Sequence, residues 1–174
     1  LAGGNATSTG NSYIGYSDNV VGMTPGAFFG KFNKASTWGI LGFDSADINA
    51  PANISGIDLT GFNDGVFIGT SSAAVLTGAI TPSSVTNGGN AAHTLRFTAG
   101  NSGTLTVNSN LADINGSTQL SVVIGSPSLN ADFSDGTVIL APGTGNTYTG
   151  GTTLNSNGGI TLALGSNNAL GTGT

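Results

Sequence analysis

Thr137-Val138-Ile139-Leu140, then Gly145-Asn146-Thr147-Tyr148-Thr149-Gly150-Gly151-Thr152-Thr153-Leu154, then Gly159-Ile160-Thr161-Leu162-Ala163-Leu164-Gly165 is the stretch that decides the fold class of this chain. In its last run, Ile160, Leu162 and Leu164 share one face, with Thr161 and Ala163 on the other. Period two over a short run marks a strand buried on one side. Between the runs lies a turn of Gly, Asn and Thr. Gly150-Gly151 lets the chain bend where a Cβ would clash, and Asn146 with its threonine neighbours can satisfy amides and carbonyls that no regular ladder reaches. Tyr148 is placed to stack on an adjacent coil.

The same alternation runs outward from this stretch. Ile57 and Leu59 oppose Asp58 and Thr60; Leu95 and Phe97 oppose Thr94, Arg96 and Thr98; Leu105 and Val107 oppose Thr104 and Thr106; Leu120, Val122 and Ile124 share a face. Turn signals separate the runs, among them Asn63-Asp64-Gly65, Asn87-Gly88-Gly89-Asn90 and Asn115-Gly116-Ser117. Strand starts recur about every ten residues, and a coil of two or three strands and turns takes about 20–30 residues, within the range of repeat periods. Long Greek-key connections are few. The expected fold is therefore all-β, a right-handed parallel β-helix or solenoid, with a β-sandwich as the alternative. Outward Thr, Ser and Asn should stack in ladders from coil to coil, and inward aliphatics in continuous rows.

Composition agrees. Only 6% of the residues are charged, so Asn, Thr, Ser and Gly carry the contact with water. Helix-supporting Glu, Lys, Arg and Gln are nearly absent. The net charge is −5, and Lys31, Lys34 and Arg96 are the only cations, which leaves no basic footprint for nucleic acid. There is no cysteine for disulfides or thiolate zinc. No apolar run approaches the roughly 20 residues of a membrane helix.

Two zones are expected. Residues 1–53 are aromatic-rich and read as an irregular or capping segment; residues 54–174 read as solenoid repeats, clearest at 137–174. The start at Leu1 and the stop inside Gly171-Thr172-Gly173-Thr174 read as cuts from a longer protein.

Strand, N-T-Y-T-G-G-T-T turn, strand, then Asn168-Ala169-Leu170-Gly171-Thr172-Gly173 resembles the autotransporter-associated β-strand repeat over nearly forty residues. The motif residues are Asn146, Tyr148, Gly150, Gly151 and Thr152. The pieces Phe67-Ile68-Gly69-Thr70-Ser71-Ser72 and Gly103-Thr104-Leu105-Thr106-Val107 resemble more loosely the sequence that precedes such repeats. The resemblance implies export from a Gram-negative-type bacterium, a parallel β-helix, and a place at the cell surface or in the extracellular matrix. It brings no catalytic residue. A passenger stalk or a self-assembling filament is the expected role, with neighbouring repeats or further copies as partners; an adhesin for surface glycans is the alternative, and a polysaccharide-active β-helix enzyme a remote one.

No catalytic constellation can be built from one His and one Arg. His93 sits in Ala91-Ala92-His93-Thr94, and reads as a strand-edge polar residue; Arg96 reads as a solvated face residue. Asp44, Asp47, Asp58 and Asp64 are the candidates for calcium, against the alternative that they cap turn amides; no other cofactor is expected. Phe28, Phe29, Phe32 and Trp38, near Lys31 and Lys34, are either an assembly or partner patch or an aromatic cap over an open end of the sheet.

Overall fold

The alternating runs become strands, and every strand pairing described is parallel. The structure is a computed structural model and describes residues 12–47, 49–84, 93–125, 135–155 and 159–173. Sheet A runs in the order β1 (Tyr13–Ser17), β2 (Ile40–Asp44), β5 (Phe67–Thr70), β8 (His93–Ala99), β10 (Leu120–Ile124), β12 (Thr152–Leu154). Sheet B runs β3 (Ala52–Ile54), β6 (Ala73–Leu76), β9 (Thr104–Val107), β11 (Thr137–Leu140), β13 (Thr161–Leu164). A third, short side pairs β4 (Ile57–Asp58) with β7 (Ile80–Thr81). Each strand thus pairs with its counterpart one coil later, and the sheets stack as a parallel β-helix of about 5 turns. A hairpin sandwich is excluded, because hairpins pair antiparallel. Among the described residues the antiparallel contact is a single bridge, Ile114 to Thr118, across the Asn115-Gly116 turn.

Sheet A keeps a near-constant step. Tyr13 pairs with Ile40, Ile40 with Phe67, Ile68 with Phe97 and His93 with Leu120, separations of 27, 27, 29 and 27 residues. Sheet B is less regular: Ala52 pairs with Ala74, Ala74 with Leu105, Leu105 with Val138 and Val138 with Leu162, separations of 22, 31, 33 and 24. Length variation is taken up in the turns, where it disturbs no ladder.

The register stacks like on like. One inward row of sheet A is Ile14, Leu41, Ile68, Phe97, Ile124, Leu154. An inward row of sheet B is Ile54, Leu76, Val107, Leu140, Leu164, beside Ala52, Ala74, Leu105, Val138, Leu162. Most of these side chains are fully buried, and each such aliphatic contributes about 1.5–3 kcal/mol of hydrophobic stabilisation. Outward, Thr104, Thr137 and Thr161 form the expected threonine ladder.

The stretch 1–53 contributes β1, β2 and most of β3, and also closes one end of the coil. Helix α1 (Pro25–Phe29) starts at Thr24, whose Oγ1 accepts the Ala27 N–H at 3.1 Å, with Pro25 at the first helical position. It packs against β4. Phe28 and Phe29 are 5% and 1% exposed and meet Tyr16, Phe43 and Phe62 at ring-centroid distances of 5.0 to 6.1 Å. The aromatic segment is thus a plug beneath the first complete coil.

Candidate functional site: the 145–152 turn and the aspartate-bearing turns

The 145–152 turn directs polar side chains between coils. Asn146 is 1% exposed. Its Oδ1 accepts the Leu111 N–H at 2.7 Å from the coil before, and its Nδ2 donates to the Ala169 carbonyl at 2.6 Å in the coil after. One buried amide therefore bridges three consecutive coils. Tyr148 is 0% exposed, with its hydroxyl 2.5 Å from Thr152 Oγ1; burial raises its pKa from the ordinary tyrosine value, opposed by the bond to Thr152. The glycines are required by proximity. A Cβ on Gly150 would press on the Leu120 carbonyl at 2.6 Å, and one on Gly171, at φ +74°, would press on the Tyr148 carbonyl and ring. Gly151 adopts φ +79°. The Thr152 hydroxyl also donates to the Leu170 carbonyl at 3.3 Å, so Asn146, Gly150 and Thr152 each meet a neighbouring coil.

Asp113, in the turn before β10, works in the same way. Oδ1 accepts the N–H groups of Leu120 (3.0 Å) and Thr149 (2.9 Å), and Oδ2 accepts the Thr149 hydroxyl (2.7 Å). These bonds, that from Leu120 foremost, hold its carboxyl below the usual range.

Asp44, a calcium candidate from sequence, is committed to protein donors. Its Oδ1 accepts the Ser71 N–H (2.7 Å), the Ser71 hydroxyl (2.9 Å) and the Thr70 hydroxyl (3.2 Å), while Oδ2 accepts the Tyr13 hydroxyl at 2.5 Å. Burial first, then the Asp44 bond and charge, push Tyr13 well above the ordinary tyrosine range. The ring of Tyr13 lies over Gly15 and Gly42, where any Cβ would overlap it. These glycines belong to an outer row of sheet A, Gly15, Gly42, Gly69, each in register with the next. Sequence reasoning missed both this row and Tyr13; the signal was a glycine recurring at the coil period, with a tyrosine two residues before its first copy.

The four calcium candidates are not brought together. Asp47 Oδ1 accepts the Asn49 N–H (2.8 Å), Asp58 Oδ1 accepts the Thr60 N–H (2.9 Å), and Asp64 lies in the turn before β5 with its backbone carbonyl taken by Arg96. Among the described residues no three His, Cys, Asp or Glu side chains gather in a group fit to hold a metal ion. Local turn capping, the alternative to calcium, accounts for the bonds of Asp47 and Asp58.

Arg96 departs from the expected solvated position. It is half-buried, with Nε donating to the Asp64 carbonyl at 2.8 Å and the guanidinium 5.9 Å from the Phe67 ring centre. Burial lowers its pKa, and the charge of Asp64 opposes that. The outer face of sheet A carries Ile40, Phe67 and Tyr13 in one row, so a cation there lies on aromatic carbon. His93 opens β8 in register with Leu120, on the side of Leu95 and Phe97, and its Nδ1 is enclosed without a hydrogen-bond partner among the described residues. Phe28, Phe29 and Phe32 join in the plug, Phe32 lying 5.2 Å from Phe28. Trp38 sits apart, against Gly65. The four aromatics proposed as a patch do not converge on one exposed surface.

One surface depression is lined by groups of the kind that bind sugars, Asp47, Ser71, Ser72, Asn101 and Ser102, together with Ala73 and Gly103. Asn101 and Ser102 both take left-handed backbone angles, φ 53° and 57°. No helix of the described residues is long and apolar enough to cross a membrane. Comparisons with protein-family models, curated proteins and solved structures find no match for this chain.

Proposed function

We propose that this chain is a structural segment, a β-solenoid stalk or scaffold, of a large exported protein at the surface or in the extracellular matrix of a Gram-negative-type bacterium. Its partners are neighbouring coils of the same kind, and it carries out no reaction. The observation that supports this reading is the use of the N-T-Y-T-G-G-T-T turn: the Asn146 amide bonds to the segments before and after it, and the Thr152 hydroxyl donates to the Leu170 carbonyl of the segment after. Such a turn is what a stacking repeat needs, and what the resemblance to the autotransporter-associated repeat implies. A surface-exposed rod also suits a coil held by neutral ladders, since its stability depends little on salt.

The adhesin reading rests on the depression beside Ser71 and Asn101. Two measurements on the purified chain separate the readings. Extended trypsin and subtilisin digestion leaves a scaffold largely intact, and a glycan array stays silent. Binding to a defined glycan that is lost in Ser71→Ala/Asn101→Ala transfers the assignment to adhesion; release of reducing sugar from pectin-like polymers transfers it to an enzyme.

A further inference from the structure

The two long outer faces of the coil differ. On sheet A, Tyr13 lies across Gly15 and Gly42, and Arg96 reaches over Phe67. The outer face of sheet B is open. Its strands β6, β9, β11 and β13 stay in register without a slip, so their outward side chains fall into two straight rows. One row is Ala73, Thr104, Thr137, Thr161. The other is Val75, Thr106, Ile139, Ala163, continuing from Asn53. Every one of these positions on β6, β9, β11 and β13 is at least partly exposed.

The hydroxyls of this face are uncommitted. Thr37, Thr77 and Thr149 donate theirs to carbonyl or carboxylate oxygens of the protein. Those of Thr104, Thr106, Thr137 and Thr161 have no protein partner among the described residues. Adjacent strands lie about 4.8 Å apart and alternate residues of a strand about 6.6 Å apart, so hydroxyl and methyl groups form a rectangular grid. No charge occurs in the four strands, and none imposes a hydration shell of its own. Methyl groups order the first layer of water, and hydroxyls anchor it by hydrogen bonds. The shorter step of the grid is close to the repeat of like oxygens along one axis of hexagonal ice, and the longer step approaches the other repeat of its prism face.

Area decides against a protein as occupant. The grid spans about 19 Å by 13 Å, roughly 250 Å², whereas a specific protein interface takes about 800 Å² from each partner. Ice sets no such threshold, because the crystal grows around a molecule whose face it has met. We propose that the outer face of sheet B binds ice, with the threonine hydroxyls and the methyl groups between them holding a layer of water in the arrangement of the lattice. The grid follows from how coils stack and not from where the protein resides, so its failure leaves the scaffold reading standing.

Ice-affinity partition, in which ice grows slowly from a dilute solution of the 174-residue chain, tests this. The chain is expected in the ice fraction, and single ice crystals grown with it are expected to facet and to show a gap between melting and freezing temperatures. Thr106→Tyr, inside the grid, should lose most of the enrichment while keeping the wild-type circular dichroism spectrum. Val21→Tyr, at a fully exposed position beside the plug, should keep the enrichment. Should Thr106→Tyr fail to fold, Ala73→Tyr on the other row supplies the second readout. Exclusion of the wild-type chain from ice, or enrichment that neither grid variant lowers, would overturn the proposal. So would a dimer in light scattering that Thr106→Tyr splits, since the face would then belong to a second copy.

Discussion

The Nδ2 of Asn146 donates to the carbonyl of Ala169, 23 residues further along the chain, at 2.6 Å and with the side chain 1% exposed. Replacing Asn146 by Leu leaves the Leu111 N–H buried without its partner and the Ala169 carbonyl with only the long 3.5 Å contact from the Tyr148 hydroxyl. Each orphaned group costs about 1–3 kcal/mol. Asn146→Leu is therefore expected to lose about 2–5 kcal/mol in urea denaturation, whereas Asn155→Leu, at a partly exposed position of the last coil, changes little. Equal stability in the two variants would remove Asn146 from its bridging role.

Gly171→Ala places a Cβ against the Tyr148 carbonyl and ring at φ +74°. The left-handed conformation alone costs roughly 1–2 kcal/mol, and the overlap adds to it. The melting temperature should fall by several degrees. Gly143→Ala should stay near wild type, because no other group lies within 4 Å of the space its Cβ would take.

Acid should weaken the joint between the turn before β10 and the turn before β12, where Asp113 meets Thr149. Hydrogen bonds hold the Asp113 carboxyl below its ordinary value of 3.8. A carboxyl depressed in the folded state contributes stability above its unfolded pKa and loses it as pH falls through the folded one. Stability measured from pH 5 downward should drop below about pH 4, and Asp113→Asn should flatten that part of the profile while lowering stability at pH 7.

Alkali should act through Tyr13. Its pKa is raised in the folded state, so its contribution is complete below the unfolded value of about 10 and is lost as pH rises beyond it. Ultraviolet titration should find Tyr13 ionising late, with unfolding, alongside a delay of the buried Tyr148. In Tyr13→Phe the late phase loses the amplitude of one tyrosine.

Calcium and EDTA should both leave the melting temperature unchanged, because Asp44, Asp47 and Asp58 already accept protein N–H or O–H groups. A calcium-dependent rise in melting temperature that Asp44→Asn abolishes would restore the metal reading.

The solenoid was legible because its strands are buried on one face. Leu105 and Val107 against Thr104 and Thr106 form an alternation that the coil reproduces residue for residue. The role of the 145–152 turn was legible in outline, since Gly and Asn have few other uses there. What Asn146 bonds to was not, because its partners lie 35 and 23 residues away. Arg96 misled for a related reason: alternation places it outward correctly, but outward on sheet A means beside Phe67, and that neighbour is set by the coil period. Tyr13 over Gly15 and Gly42 escaped notice on the same ground. Local patterns fix which way a side chain points; the period fixes what it meets.

The plug of Phe28, Phe29 and Phe62 gives the molecule a direction in its dynamics. In a stack where each coil is stabilised only by its neighbours, opening starts where one neighbour is missing. Coils near α1 are held from both sides, whereas β12 and β13 are held from one. In the 174-residue chain taken alone, amide exchange should therefore be slowest near β2 and β5 and fastest around β12 and β13, which fray first like the end of a rope.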